Sequence, residues 1–110
     1  MTDPTGRVFA ALADGTRREV LQAVATRGAA TATELAAQLP VTRQAVAKHL
    51  AVLAGAGLVA GRREGRETRY RPTPAPLGDA IGWMTGVGAQ WDERLAALGR
   101  HAAGRRRPRD

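Results

Sequence analysis

A mainly α-helical fold with one small β-hairpin, four helices before it and one after, is what this sequence predicts, on three observations. Asp14 or Thr16, Thr31 and Thr42 each stand just before a stretch with apolar residues three and four apart, the pattern of capped amphipathic helices. The run LVAGRREGRETRYRP, from Leu58 to Pro72, shifts to the two-residue period of strands around a glycine. Prolines at 72, 74 and 76 then break the chain before a last helical pattern. At 110 residues there is material for one domain, and with 4% aromatics its core must rest mainly on Ala, Val and Leu.

Val8, Phe9 and Leu12 mark a short first helix that ends near Asp14-Gly15. The second runs through TRREVLQAVATRG, with Val20, Leu21 and Val24 on one face and Gly28 as its stop. Its cap is Asp14 or Thr16, and Thr16 would make a capping box with Glu19. A second box, Thr31 to Glu34, opens a third helix of about two turns, with Leu35 and Leu39 inward and Pro40 closing it. Thr42 caps the fourth, over about 42–56, which stops before Gly57. The hairpin follows over 58–71, its Thr68 and Tyr70 alternating with Arg69 and Arg71 to give a basic outer face. The last helix places Leu77, Ile81, Met84, Gly88, Trp91, Leu95 and Leu98 at alternating spacings of four and three. The domain is expected to span 1–102, with a disordered basic tail at 103–110.

The formal charge of +7 is unevenly spread. Residues 1–42 balance, 43–71 carry seven bases against Glu64 and Glu67, 72–99 are slightly acidic, and 100–110 are basic again. Two basic blocks point to a polyanion partner. A GC-rich coding bias would account for the choice of arginine over lysine, sixteen to one, but not for their clustering. With no cysteine, disulfides, thiolate metal sites and cysteine nucleophiles are excluded together. There is no Gly-rich phosphate loop, no nucleophile beside a base and no convincing carboxylate pair, so no enzyme is expected, and no cofactor. No secretory signal or membrane span is read, and a cytoplasmic location is expected.

The fourth helix carries the functional reading. Val46, Leu50 and Leu53 share one face, while Gln44, Lys48, Ala47 and Ala51 share the other and His49 lies at the boundary. One long amide, one cation and small alanines suit a helix entering a major groove by its N-terminus. Arg43 and Gln44 would read base edges there, and Thr42, Lys48 and His49 would stay near phosphates. The short third helix and the Pro40 turn complete a helix-turn-helix, and the hairpin becomes a wing whose Arg62, Arg66 and Arg69 reach flanking DNA. The fold is thus a winged helix-turn-helix. A non-specific DNA- or RNA-binding winged helix, using the same charges without reading bases, is the alternative.

The segments ALADGTRREVL, TATELAAQLPVTRQAVAKHLAVLAGAGLV and REGRETRYRP resemble the ArsR/SmtB-type winged helix-turn-helix repressors, over roughly residues 7–100. The resemblance implies a homodimer that represses at a near-palindromic operator and releases it when an effector binds. The family's metal sensors use a cysteine pair in the third helix or His and Asp clusters on the last. Here the third helix reads ELAAQL, and the only histidines are His49 and His101, so no metal site is expected. The chain is similar to cysteine-free members, and the sequence assigns no inducer.

Leu77, Met84, Trp91 and Leu98 recur every seven residues, as do Ile81, Gly88 and Leu95, giving the seam of a helix packed lengthwise on another helix. Together with Phe9 and Leu12 of the first helix they form the expected homodimer surface. Gly78, Gly82 and Gly86 each lower helix propensity by about 1 kcal/mol, which favours a helix that gains from close packing.

Overall fold

Short polar side chains start four of the five helices in the computed structural model, which describes residues 3–105. Helix α1 (Pro4–Leu12) is capped by Asp3, whose carboxylate accepts from the Gly6 N–H at 2.9 Å. Helix α2 (Gly15–Arg27) is capped by Asp14, accepting from the Arg17 N–H at 2.9 Å; of the two candidates the carboxylate takes the position, and Thr16 lies within the first turn. Helix α3 (Ala32–Gln38) has the full capping box. Thr31 Oγ1 accepts from the Glu34 N–H at 3.2 Å, and Glu34 Oε1 from the Thr31 N–H at 2.8 Å. Helix α4 (Arg43–Gly55) starts at Thr42, whose Oγ1 accepts from the Ala45 N–H at 3.1 Å. Each such cap contributes about 1 kcal/mol.

The α4 exit is equally specific. The Leu58 N–H donates to the Leu53 carbonyl and the Gly57 N–H to the Ala54 carbonyl, the paired bonds of a Schellman ending. That ending needs a left-handed residue, and Gly57 supplies it at φ 78°. Leu58 and Val59, directly after, return the chain to the core.

Strands β2 (Val59–Glu64) and β3 (Glu67–Pro72) form the expected hairpin, but a further strand was not foreseen. Ala30 and Thr31 form β1, which pairs antiparallel with β3 in the order β1-β3-β2. The expected hairpin is therefore two strands of a three-stranded sheet. A two-residue strand next to a capping box has no periodicity of its own, so only the pairing partner reveals it.

Helix α5 (Pro74–Arg105) begins two prolines earlier than the sequence suggests. Pro74 and Pro76 sit in its first turn, where backbone N–H groups have no helical acceptor and a missing donor costs little. The expected basic tail, 103–110, begins within the last turn of α5, and residues 106–110 lie outside the described residues.

The chain divides into two compact units, Met1–Ala80 and Ile81–Asp110. In the first, Val8, Val20, Val24, Leu35, Val46, Leu50, Leu53 and Leu58 are the large core side chains, with Ala11, Ala23, Ala30 and Ala80 filling between them. All the buried hydrophobics are Ala, Val or Leu; Phe9 and Tyr70 pack at the edge. Among the described residues the second unit is the remainder of α5. No helix among the described residues is long and apolar enough to cross a membrane.

Candidate nucleic-acid interface

Helix α4 is divided as the sequence predicts. Val46, Leu50 and Leu53 are wholly buried, whereas Arg43, Gln44, Ala47, Lys48 and Ala51 are exposed. Thr42 is exposed at the cap, its hydroxyl oxygen accepting from the Ala45 N–H. His49 is half-buried, within electrostatic reach of the Asp14 carboxylate at the start of α2. That carboxyl is held below its ordinary value first by the Arg17 backbone N–H, with His49 and the Arg17 guanidinium adding to the effect against a burial penalty.

The two arginines in the first turn of α2 bond back to α1. Arg17 Nη1 donates to the Ala11 carbonyl at 3.1 Å and Arg18 Nη1 to the Leu12 carbonyl at 2.6 Å. Two cations therefore close the C-terminal end of α1, where carbonyls lack helical donors and the helix dipole favours positive charge.

The wing is built around the register Gly61↔Tyr70, Arg62↔Arg69 and Arg63↔Thr68. Thr68 and Tyr70 are half-buried, and Gly61 lies across from the Tyr70 ring with no room for a side chain. A Cβ there would come within 2.7 Å of Thr68 Cγ2 and 2.9 Å of Tyr70 Cε1. The opposite face holds Arg62, Arg69 and Arg71 with Glu64 and Glu67.

These arginines are not equivalent. Arg62 and Arg66 are exposed and join no ion pair among the described residues. Arg63 folds back to the Gly65 carbonyl at 3.0 Å. Arg69, also expected on DNA, donates from Nη1 to Glu34 Oε1 at 2.8 Å and from Nε to Glu64 Oε2 at 3.1 Å. Glu34 also faces Arg27 at 3.5 Å. Its carboxyl is held below the ordinary value first by the Thr31 backbone N–H, against a burial penalty that ranks next, with Arg69 and then Arg27 adding to the lowering. The bonds to Glu34 and Glu64 raise the Arg69 guanidinium further. Thr33 Oγ1 in turn donates to the Glu67 carboxylate. Glu34 thus has a role that the sequence hid: its capping-box position is legible locally, but its ion pair spans 35 residues.

Between α4 and the wing lies a cleft of about 160 Å³, with Arg43 and Ala47 on one side and Arg66, Thr68 and Tyr70 on the other. Of the side chains expected at a homodimer surface, Phe9, Leu12 and Leu77 are half-buried against the core of the first unit. Ile81, Met84, Trp91 and Leu95 are exposed on α5, as are Trp83 and Leu98. Among the described residues no three His, Asp or Glu side chains gather as a metal site.

A helix-turn-helix domain family model matches residues 12–62. The chain is 45% identical over 84 residues to "Uncharacterized HTH-type transcriptional regulator YuzN" of Bacillus subtilis (strain 168), covering 70% of this chain and 91% of that protein. It is 40% identical over 79 residues to "Probable mercury resistance operon repressor" of Streptomyces lividans, covering 72% of this chain and 62% of the relative. Among solved structures it is similar to "ArsR-like Transcriptional Regulator from Rhodococcus sp. RHA1", with a TM-score of 0.78, 45% identity, and coverage of 90% of this chain and 92% of that one.

Proposed function

The chain belongs to the ArsR/SmtB-type family of winged helix-turn-helix DNA-binding transcription regulators, and on that premise we propose that it is a homodimeric repressor of a near-palindromic operator. α4 enters the major groove. Arg43 and Gln44 read base edges, Thr42 and Lys48 hold phosphates, and Arg62 and Arg66 of the wing follow the flanking backbone. His49, half-buried at the edge of the helix, stays near the phosphates. Repression is carried over from the Streptomyces relative, a probable mercury resistance operon repressor.

The observation that carries this reading is the two-sided α4. Its inner face is fixed by three fully buried aliphatics, and its outer face combines Gln44, Arg43 and Lys48 with alanines short enough for close approach. The homodimer is supported by α5 beyond Ala80, where Ile81, Met84, Trp91 and Leu95 repeat in a heptad and stay exposed, with Trp91 at 61%.

A randomised duplex pool enriched on the purified protein tests the reading. The pool is expected to converge on a near-palindrome with half-sites about 10 bp apart, or a multiple of that. The selected duplex should be preferred about 100-fold or more over a scrambled one at near-physiological salt. Equal binding of both duplexes that collapses with salt would overturn base reading in favour of an architectural or RNA-binding protein. For the dimer, sedimentation of Trp91→Ala should show a monomer with much weaker binding; an unchanged dimer removes α5 as the seam.

A further inference from the structure

We propose that Arg69 is a positioning residue: its bridge to Glu34 sets the wing against the helix-turn-helix, and it makes no phosphate contact of its own. The inference rests on the DNA-binding reading above and reassigns one of its cations.

The bridge joins elements that no local rule brings together. β3 meets the start of α3 through three links: the β1 ladder with Thr31↔Arg69, the Arg69–Glu34 pair at 2.8 Å, and the Thr33–Glu67 hydrogen bond. Glu34 is a stiff anchor for that bridge. Its carboxylate is already fixed by the Thr31 N–H in the capping box and faces Arg27 on α2. Arg69 presents two edges of a planar fork to two different carboxylates, Glu34 and Glu64, a geometry that a flexible point charge cannot reproduce.

Charge placement leads to the same conclusion. Arg69 stands directly across from Arg62, and like charges in that register repel unless one is neutralised. Glu34 and Glu64 neutralise Arg69, leaving Arg62 as the cation that faces outward from the pair. A phosphate approaching Arg69 would have to displace a carboxylate or sit beside two of them. Arg66, four positions from the Arg62 side of the turn, carries no such burden among the described residues. With the root of β3 held, Arg66 stays across the cleft from Arg43 before DNA arrives, and less ordering is left for binding to impose.

The test compares Arg69→Gln, Arg69→Lys, Glu34→Gln, the Glu34→Gln/Arg69→Gln pair and Arg66→Gln, by fluorescence anisotropy over a salt series. The probes are the duplex selected above and a random duplex of equal length. Arg66→Gln, a phosphate contact, should reduce the slope of log K against log salt by about one. Arg69→Gln should weaken binding about two- to fivefold, the scale of a partly exposed ion pair, with the slope unchanged. Glu34→Gln should weaken binding to a similar extent, and the double variant should be no weaker than either single change. Arg69→Lys keeps the charge but not the fork and should behave like Arg69→Gln.

Glu34→Gln gives opposite signs for the two cases. It should loosen a clamp and weaken binding, whereas it should release a phosphate-seeking Arg69 and tighten binding. Tightening, a slope loss of about one in Arg69→Gln, or full activity in Arg69→Lys each overturns the proposal. Glutamine still accepts the capping-box hydrogen bond, so Glu34→Gln keeps α3 folded and carries the test even if Arg69→Gln unfolds. Amide exchange separates the two levels further. The clamp predicts faster exchange over 59–72 with α4 unchanged, and equal rates there overturn it. A pool that converges on no sequence sinks the base-reading assignment alone, since slopes on random DNA and exchange of the wing still report on the clamp.

Discussion

In α4, Arg43 and Lys48 stand exposed and join no ion pair among the described residues, whereas in the wing Arg69 is held by two carboxylates and Arg63 by a backbone carbonyl. Both regions belong to the same basic block of sequence. α4 is a regular helix whose outward face is decided within its own thirteen residues, so an exposed cation there is available by construction. A two-stranded ribbon is only marginally stable alone, and this one is joined to α3 by the Arg69–Glu34 pair and the Thr33–Glu67 hydrogen bond. Clustered positive charge therefore locates an interface, but tertiary partners decide which of its charges are available.

The largest expected effect tests the premise that the inner face of α4 holds its outer face in place. Leu50→Ala removes a wholly buried side chain and should cost about 2–5 kcal/mol in chemical denaturation, with binding to selected and random DNA lost together. Ala51→Ser, one residue on and exposed, should change stability by no more than about 0.5 kcal/mol. A small loss for Leu50→Ala would mean that α4 is not anchored as described. Gln44→Ala comes next: about 1–3 kcal/mol of affinity for the selected duplex, and none for random DNA. Equal losses on both duplexes would make α4 no different from the wing, and the comparison would break.

Gly61→Ala asks how rigid the wing must be. The added methyl would meet Thr68 and the Tyr70 ring inside 3 Å, so the strands must shift or the ring must turn. The expected cost is about 1–3 kcal/mol in stability, with operator affinity falling and the salt slope kept. Unchanged affinity would show that the wing tolerates displacement, and the role given to its root would weaken accordingly.

The elements that could be read directly were those fixed by neighbours in sequence. Thr31 with Glu34, Thr42 with the apolar period of Val46, Leu50 and Leu53, and Gly57 at the α4 exit each declare themselves within a few residues. What was hidden needed distant partners or a choice between near-equal local options. β1 exists only because β3 lies beside it, and Arg69 is committed only because the fold brings Glu34 to it. Asp14 and Thr16 both satisfy the capping pattern, and spacing alone does not choose between them. The prolines at 74 and 76 read as breakers, yet in a first helical turn they are compatible with the helix. The exposed face of α4, where the proposed base readers lie, was legible because helical period alone sets it. The division of labour among the wing arginines was not.

Acid titration gives the smallest effect and separates the two regions by a different route. Asp14 caps the start of α2 and makes no bond to the wing among the described residues, while Glu34 serves both α3 and the wing. Both carboxyls titrate below their ordinary values of 3.8 and 4.5, so each favours the folded state in its ionised form. The sign follows from linkage: their stabilisation is complete above those ordinary values and is lost as pH falls through the lower folded-state values. At neutral pH, then, wild type should be more stable than Glu34→Gln in urea denaturation. The gap should close as pH drops below 4.5, because protonated Glu34 can no longer pair with Arg69 and Arg27. Asp14→Asn should show a similar closing gap below 3.8 in stability, but without any change in the amide exchange of the wing at neutral pH. If the Glu34→Gln gap stays constant through acid, the loss comes from packing rather than charge, and the wing is held by its β1 ladder and the Thr33–Glu67 hydrogen bond.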